Sequence, residues 1–127
     1  MTKTRVAARL GAAAAAGVLV LGCVTAANAT MRVAAAGLLK CLVQEDNTGA
    51  DDPYLLRNGV KIWGPQSMSK GGSASMSLAV SSGDRLTLME YDWPDADDNL
   101  GTVTVTGTGP YNFTGDGAHY ILNIVGW

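Results

Sequence analysis

Apolar and polar residues alternate with a period of two along most of the chain beyond residue 30. Met76, Leu78 and Val80 alternate with Ser75, Ser77 and Ala79, Leu86 and Leu88 with Arg85 and Thr87, and Val103 and Val105 with Thr102, Thr104 and Thr106. Tyr120, Leu122 and Ile124 form one side of the last apolar run, and Leu38 to Val43 is another apolar stretch. Successive side chains of an extended strand point to opposite faces, so this pattern, rich in Val and Thr, marks half-buried strands. Turn residues separate the runs at Asn58-Gly59, Lys70-Gly71-Gly72-Ser73, Ser82-Gly83-Asp84, Gly107-Thr108-Gly109-Pro110 and Gly115-Asp116-Gly117. Asn58-Gly59 suits a tight hairpin because both residues tolerate positive φ. Ala34 to Lys40 has some case for a helix, but it runs straight into the Leu38 to Val43 stretch. The expectation is an all-β chain, a sandwich or small barrel, and of these a small antiparallel Greek-key β-sandwich of about seven strands.

The first 29 residues break this pattern. Lys3, Arg5 and Arg9 form a positive segment, Gly11 to Val24 is unbroken small or apolar sequence, and Ala27-Asn28-Ala29 supplies an A-x-A cleavage site. Together these predict a bacterial-type signal peptide over residues 1–29 and a single secreted domain over 30–127, beginning at Thr30. The apolar run falls short of the roughly 20 residues a transmembrane helix needs, so no membrane span is expected after cleavage. Val20-Leu21-Gly22-Cys23 offers an alternative, a lipoprotein box that would leave Cys23 lipidated at the new N-terminus.

Removal of that segment changes the charge. The mature chain carries six basic and eleven acidic side chains, a formal charge of −5. Phosphate binding needs clustered Lys and Arg, so nucleic acid is excluded as a partner. No polybasic stripe for anionic lipid is present either. Cys41 is the one cysteine left, which rules out an intrachain disulfide and suits a small buried residue on a strand.

Eight of the eleven acids fall in two clusters. The first is Asp46-Asn47-Thr48-Gly49-Ala50-Asp51-Asp52-Pro53-Tyr54, and the second runs from Glu90-Tyr91-Asp92-Trp93-Pro94-Asp95 through Ala96-Asp97-Asp98-Asn99-Leu100-Gly101. Each follows an apolar run, which places it on a loop at a strand end. Crowded carboxylates repel unless a cation neutralises them, and hard oxygen donors on flexible loops suit Ca²⁺. Asp46 and Asp52 are six residues apart, as are Asp92 and Asp98. Glu90 and Asp92, two apart on an extended segment, point the same way and can converge on one ion. Asp95-Ala96-Asp97-Asp98-Asn99 imitates the start of an EF-hand loop, but the sixth position is Leu100 and the twelfth Thr106, where that motif needs Gly and Glu.

The spacing Asp46…Asp52-Pro53-Tyr54, with Glu90-x-Asp92…Asp98-Asn99-Leu100-Gly101 downstream, resembles C2 domains, the calcium- and phospholipid-binding sandwiches. Asp46, Asp52, Asp92 and Asp98 match that family's motif position by position, and Glu90 stands where it has Asp. The resemblance covers Leu38 to Gly101. The stretch between Asp52 and Glu90 is shorter than in the family, and the N-terminal end is about one strand short. The resemblance implies Ca²⁺ as the cofactor, held by Asp46, Asp52, Glu90, Asp92 and Asp98, with Asp51, Asp95 and Asp97 as outer-shell or second-ion acids. It also implies lipid contact through the loop that carries Trp93.

An indole at such a loop tip could anchor to a bilayer interface, stack on a sugar or protein, or fold back as packing. Trp63, Trp127 and the lone His119 fit structural roles, and Asn112-Phe113-Thr114 is a glycosylation sequon without relevance behind a bacterial signal. No nucleophile elbow, HExxH, phosphate loop or cysteine–histidine arrangement is present, so an enzyme is not expected. The expected function is a monomeric, secreted calcium-binding module that attaches to a phospholipid, cell-envelope polymer or protein surface. The alternative is a structural or inhibitory secreted protein that calcium merely stabilises.

Overall fold

A computed structural model describes residues 31–127. The expected signal segment, Cys23 and Thr30 lie outside the described residues. Residues Arg32–Trp127 form one folded unit. Its eight strands are β1 (Val33–Val43), β2 (Pro53–Arg57), β3 (Val60–Trp63), β4 (Ser73–Val80), β5 (Arg85–Glu90), β6 (Asp98–Thr104), β7 (Gly109–Phe113) and β8 (His119–Val125). They make two four-stranded sheets ordered β4-β1-β8-β7 and β3-β2-β5-β6, antiparallel throughout. The all-β sandwich expected from the alternation is therefore present, with eight strands rather than about seven.

The additional strand is β7, whose start at Gly109-Pro110 reads as a turn. It forms because it needs to pair on one side only. β7 is an edge strand bonded to β8, with Pro110 opposite Asn123, and an edge tolerates a residue that lacks an N–H. Ala34 to Lys40 is extended and not helical, because β1 is held on both flanks, Leu38 opposite Ser75 of β4 and Asn123 of β8.

Burial follows the alternation. Met76, Leu78 and Val80 are buried while Ser75, Ser77 and Ala79 are exposed, and Leu86, Leu88, Leu122 and Ile124 fill the space between the sheets. Each such side chain contributes about 1.5–3 kcal/mol when fully removed from water. Cys41 is buried in the same core opposite Tyr120 of β8, and Trp63 and Trp127 pack against its margin. His119 Nε2 lies 2.8 Å from Asn112 Oδ1 on the neighbouring strand. Among the described residues no helix is long and apolar enough to cross a membrane.

Strand direction sorts the loops. β1, β3, β5 and β7 all run toward the same end, so the β1–β2, β3–β4, β5–β6 and β7–β8 connections gather there. The other end is closed by Asp84 in the β4–β5 turn. Its carboxylate accepts hydrogen bonds from the Ser81 N–H at 2.8 Å and Asn58 Nδ2 at 3.0 Å, and Arg32 Nε lies 3.7 Å away. Burial alone would raise the Asp84 carboxyl, but these bonds and the Arg32 and Arg57 charges hold it below its ordinary value.

Candidate metal centre

Both acidic clusters sit on the gathered end, one in the β1–β2 loop and one across the β5–β6 loop. The β1–β2 loop is shaped by polar side chains at its base. Gln44 Nε2 donates to the Gly49 carbonyl at 2.6 Å, and Gln44 Oε1 accepts the Lys70 N–H at 2.8 Å. Asp51 is fully buried, and its carboxylate accepts three bonds: the Glu45 N–H at 2.8 Å, the Asp46 N–H at 3.2 Å and the Tyr120 hydroxyl at 2.7 Å. Its own N–H and carbonyl bridge to Met68. The chain therefore turns around Asp51, which directs Glu45 and Asp46 outward.

Glu90 ends β5 between the two loops and is 2% exposed. Its Oε1 accepts the Asp52 N–H at 3.0 Å, while Oε2 is buried with no hydrogen-bond partner among the described residues. A buried carboxylate oxygen left unsatisfied costs about 1–3 kcal/mol or more, so it needs either a proton or a cation.

Other acids converge on Glu90. Carboxylate oxygens of Glu90, Asp92 and Asp98 lie within 4.8 Å of one another, as do those of Glu45, Asp46 and Glu90, and those of Glu45, Asp98 and Asp116. Asp116 reaches the group from the β7–β8 turn, a short 3-10 turn over Gly115–Gly117. That turn packs directly on β6: a Cβ at Gly115 would lie 2.7 Å from the Asn99 carbonyl oxygen and 2.7 Å from the Leu100 carbonyl carbon. Only glycine permits this approach, and the approach carries Asp116 to Asp98.

Charge accumulates accordingly. Burial, then the neighbouring acids Asp92, Asp51 and Asp46, pushes Glu90 up to about 7 against the opposing bond from Asp52. Burial followed by Asp46, Asp98, Asp116 and Glu90 raises Glu45 to about 7 as well. Asp92 and Asp98 are raised by desolvation and then by the surrounding acids, led by Asp95 and Asp116 respectively. Six hard oxygen donors that repel one another, one with an orphaned buried atom, fit a hard divalent cation.

Of the ligands expected from the sequence, Glu90, Asp92 and Asp98 form one group, and Asp46 joins Glu90 in another. The Asp52 side chain belongs to none of these three groups. Its backbone is what links the loops, since its N–H binds Glu90 and its carbonyl accepts the Tyr91 N–H at 3.0 Å. Asp51 and Asp97 are engaged elsewhere: Asp97 accepts the Tyr54 hydroxyl on Oδ2 and the Asp92 N–H on Oδ1, the latter at 3.3 Å. Asp95 is exposed at the loop tip. Glu45 and Asp116 join the cluster without having been expected there. Glu45 lies beside Asp46 in sequence, which is a usable signal, whereas Asp116 reads only as part of a Gly-Asp-Gly turn.

At the outer rim Trp93 is 76% exposed and Tyr91 46% exposed, so the indole is not packed back over the acids. No protein-family model matches the chain, and no curated protein matches it in sequence.

Proposed function

We propose that the chain is a secreted calcium-binding β-sandwich module that uses the ion to attach to a surface. The observation that carries this reading is Glu90 Oε2, buried and without a donor at the point where two acid-bearing loops meet. Oxygen donors from Glu90, Asp92, Asp98 and Asp46 would hold the ion, with Glu45 and Asp116 completing the bowl. Oxygen-only ligation by loops favours Ca²⁺ over softer metals, and over Mg²⁺, which dehydrates reluctantly and demands near-octahedral geometry. Export, which the N-terminal sequence supports, would place the module where calcium is abundant and weak affinity suffices. The resemblance to C2 domains points the same way, because its spaced acids lie on the loops that converge.

Attachment is assigned to the rim of the bowl. Trp93 and Tyr91 stand exposed beside a patch whose charge the cation would neutralise. With the negative charge cancelled, an amphipathic indole can enter an interfacial layer or stack on a polymer.

Calorimetric titration with Ca²⁺ tests the metal reading. Saturable binding with a Kd on the order of 10⁻⁴ to 10⁻³ M is expected for an extracellular module, and an Asp92→Asn/Asp98→Asn double variant should abolish it. No heat up to several millimolar, roughly that weak limit, sinks the reading. Tryptophan emission in the presence of vesicles or envelope polysaccharide tests attachment. A calcium-dependent shift that disappears in Trp93→Phe supports a surface-binding role, and a Ca²⁺-binding protein without any such shift has a metal that only stabilises its fold.

A further inference from the structure

Two acids outside the three carboxylate groups share one arrangement. Asp51 is bonded by the Tyr120 hydroxyl and accepts the backbone N–H groups of Glu45 and Asp46. Asp97 is bonded by the Tyr54 hydroxyl and accepts the backbone N–H of Asp92. In each case a tyrosine on a strand fixes an aspartate, and that aspartate fixes the main chain of residues whose side chains face the cation site. The tyrosines come from opposite sheets, Tyr120 from β8 and Tyr54 from β2, so each loop is tied to a different layer of the sandwich.

We infer that Asp51 and Asp97 are positioning residues, latched by Tyr120 and Tyr54, that hold the two ligand-bearing loops in binding shape before the ion arrives. This rests on the calcium reading above. Carboxylates that already accept two or three protein donors have fewer lone pairs left for a metal, and bonding to the main chain of the ligand residues is what outer-shell partners do. Such partners typically change metal affinity by about 10–100-fold when removed. The two latches are unequal. Tyr120 and Asp51 are both fully buried, so their bond is not shared with water, whereas Asp97 is exposed and Tyr54 is half-buried under Lys61, whose Nζ lies 5.4 Å from the ring centroid. A buried hydrogen bond is electrostatically stronger than a solvated one, so the β1–β2 latch should dominate.

Terbium binding to the full-length mature protein distinguishes positioning from ligation. Tb³⁺ takes the oxygen ligands of Ca²⁺, and its luminescence lifetimes in H₂O and D₂O report how many waters share the ion. Tyr120→Phe, with near-ultraviolet circular dichroism confirming the fold, should weaken Tb³⁺ about tenfold or more and add at least one bound water as the loop relaxes. Tyr54→Phe should shift both quantities the same way by less. Asp97→Asn keeps an acceptor for the Asp92 N–H and should retain most of the affinity, whereas Asp97→Ala should not. Unchanged affinity and hydration in both tyrosine variants overturn the inference, as does an Asp97→Asn variant as impaired as Asp97→Ala, which would make Asp97 a ligand. Should Tyr120→Phe fail to fold, Tyr54→Phe and the Asp97 pair decide the matter. A parent protein that binds no Tb³⁺ overturns the calcium reading itself, an outcome separate from a parent that binds and latches that do not matter.

Discussion

The N–H of Asp52 lies 3.0 Å from Glu90 Oε1, a bond spanning 38 residues that ties the β1–β2 loop to the end of β5. It satisfies half of a buried carboxylate and leaves Oε2 bare among other acids. The fold thus brings its two acidic loops together at the cost of an unsatisfied anionic oxygen. A proton would relieve that conflict, as would the cation proposed above.

Glu90→Gln separates the two resolutions. The amide keeps an acceptor for Asp52 and gives the orphaned position a donor directed at surrounding carboxylates. Near pH 7.5 the metal-free variant should be more stable than its parent, by on the order of 1–3 kcal/mol, while calcium binding is lost. Urea denaturation with EDTA, set beside calorimetry with Ca²⁺, checks both halves. A variant that is both less stable and still able to bind contradicts the assignment.

The metal-free protein should lose stability as pH rises from about 4.5 through about 7 and level off above. Glu90 and Glu45 are raised to about 7 in the fold, from an ordinary value of roughly 4.3. Between those values the folded form keeps protons that the unfolded chain has released, so their stabilisation is complete below the lower value and disappears through the upper one. Asp84, held below its ordinary value, acts in the opposite sense, and its contribution is lost only in stronger acid. Urea midpoints in EDTA across this range should fall, and saturating Ca²⁺ should flatten the trend because the ion replaces the protons.

Glu45→Gln and Asp116→Asn should each weaken calcium several-fold, although neither lies in the spaced motif that the sequence presents. Asp95→Asn, at the exposed tip and outside the three carboxylate groups, should change affinity by less than about twofold at 0.15 M salt, where exposed charges are screened. Parallel calorimetric titrations check the ranking. Equal losses in all three variants would indicate a diffuse field rather than a defined set of ligands.

Gly115→Ala should destabilise the fold by about 1–3 kcal/mol, the usual range for overpacking, and weaken calcium as well. The added Cβ would sit 2.7 Å from main-chain atoms of β6, which cannot rotate away as a flexible side chain would. The turn must lift, and Asp116 moves with it. Thermal melts with and without Ca²⁺ report the two effects separately.

Much of this architecture is legible in the sequence because a strand's period of two leaves a direct trace in residue order. Met76, Leu78 and Val80 announce β4, and the Asn58-Gly59 turn announces the β2–β3 hairpin. β7 leaves no such trace, since an edge strand starting at Gly109-Pro110 shows turn residues where its partner β8 shows alternation. The site is legible to the extent that it is built from spacing: Asp46, Glu90, Asp92 and Asp98 sit in two short segments and do converge. Glu45 and Asp116 depend on how the loops bend and on a glycine packed against β6, which residue order does not encode. Asp51 and Asp97 look equivalent to their neighbours in sequence. They differ only in facing Tyr120 and Tyr54, partners 69 and 43 residues away.

The direction of β1 and β8 has a consequence for how the protein can be held. The chain enters β1 at Val33 and leaves β8 at Val125, and both residues lie toward the end of the sandwich remote from the acidic loops, Val125 opposite Ala36. A fused protein or a sensor chip attached beyond Val125 therefore grips the domain from behind. The loops with Trp93 are left facing outward, free for the surface contact proposed above.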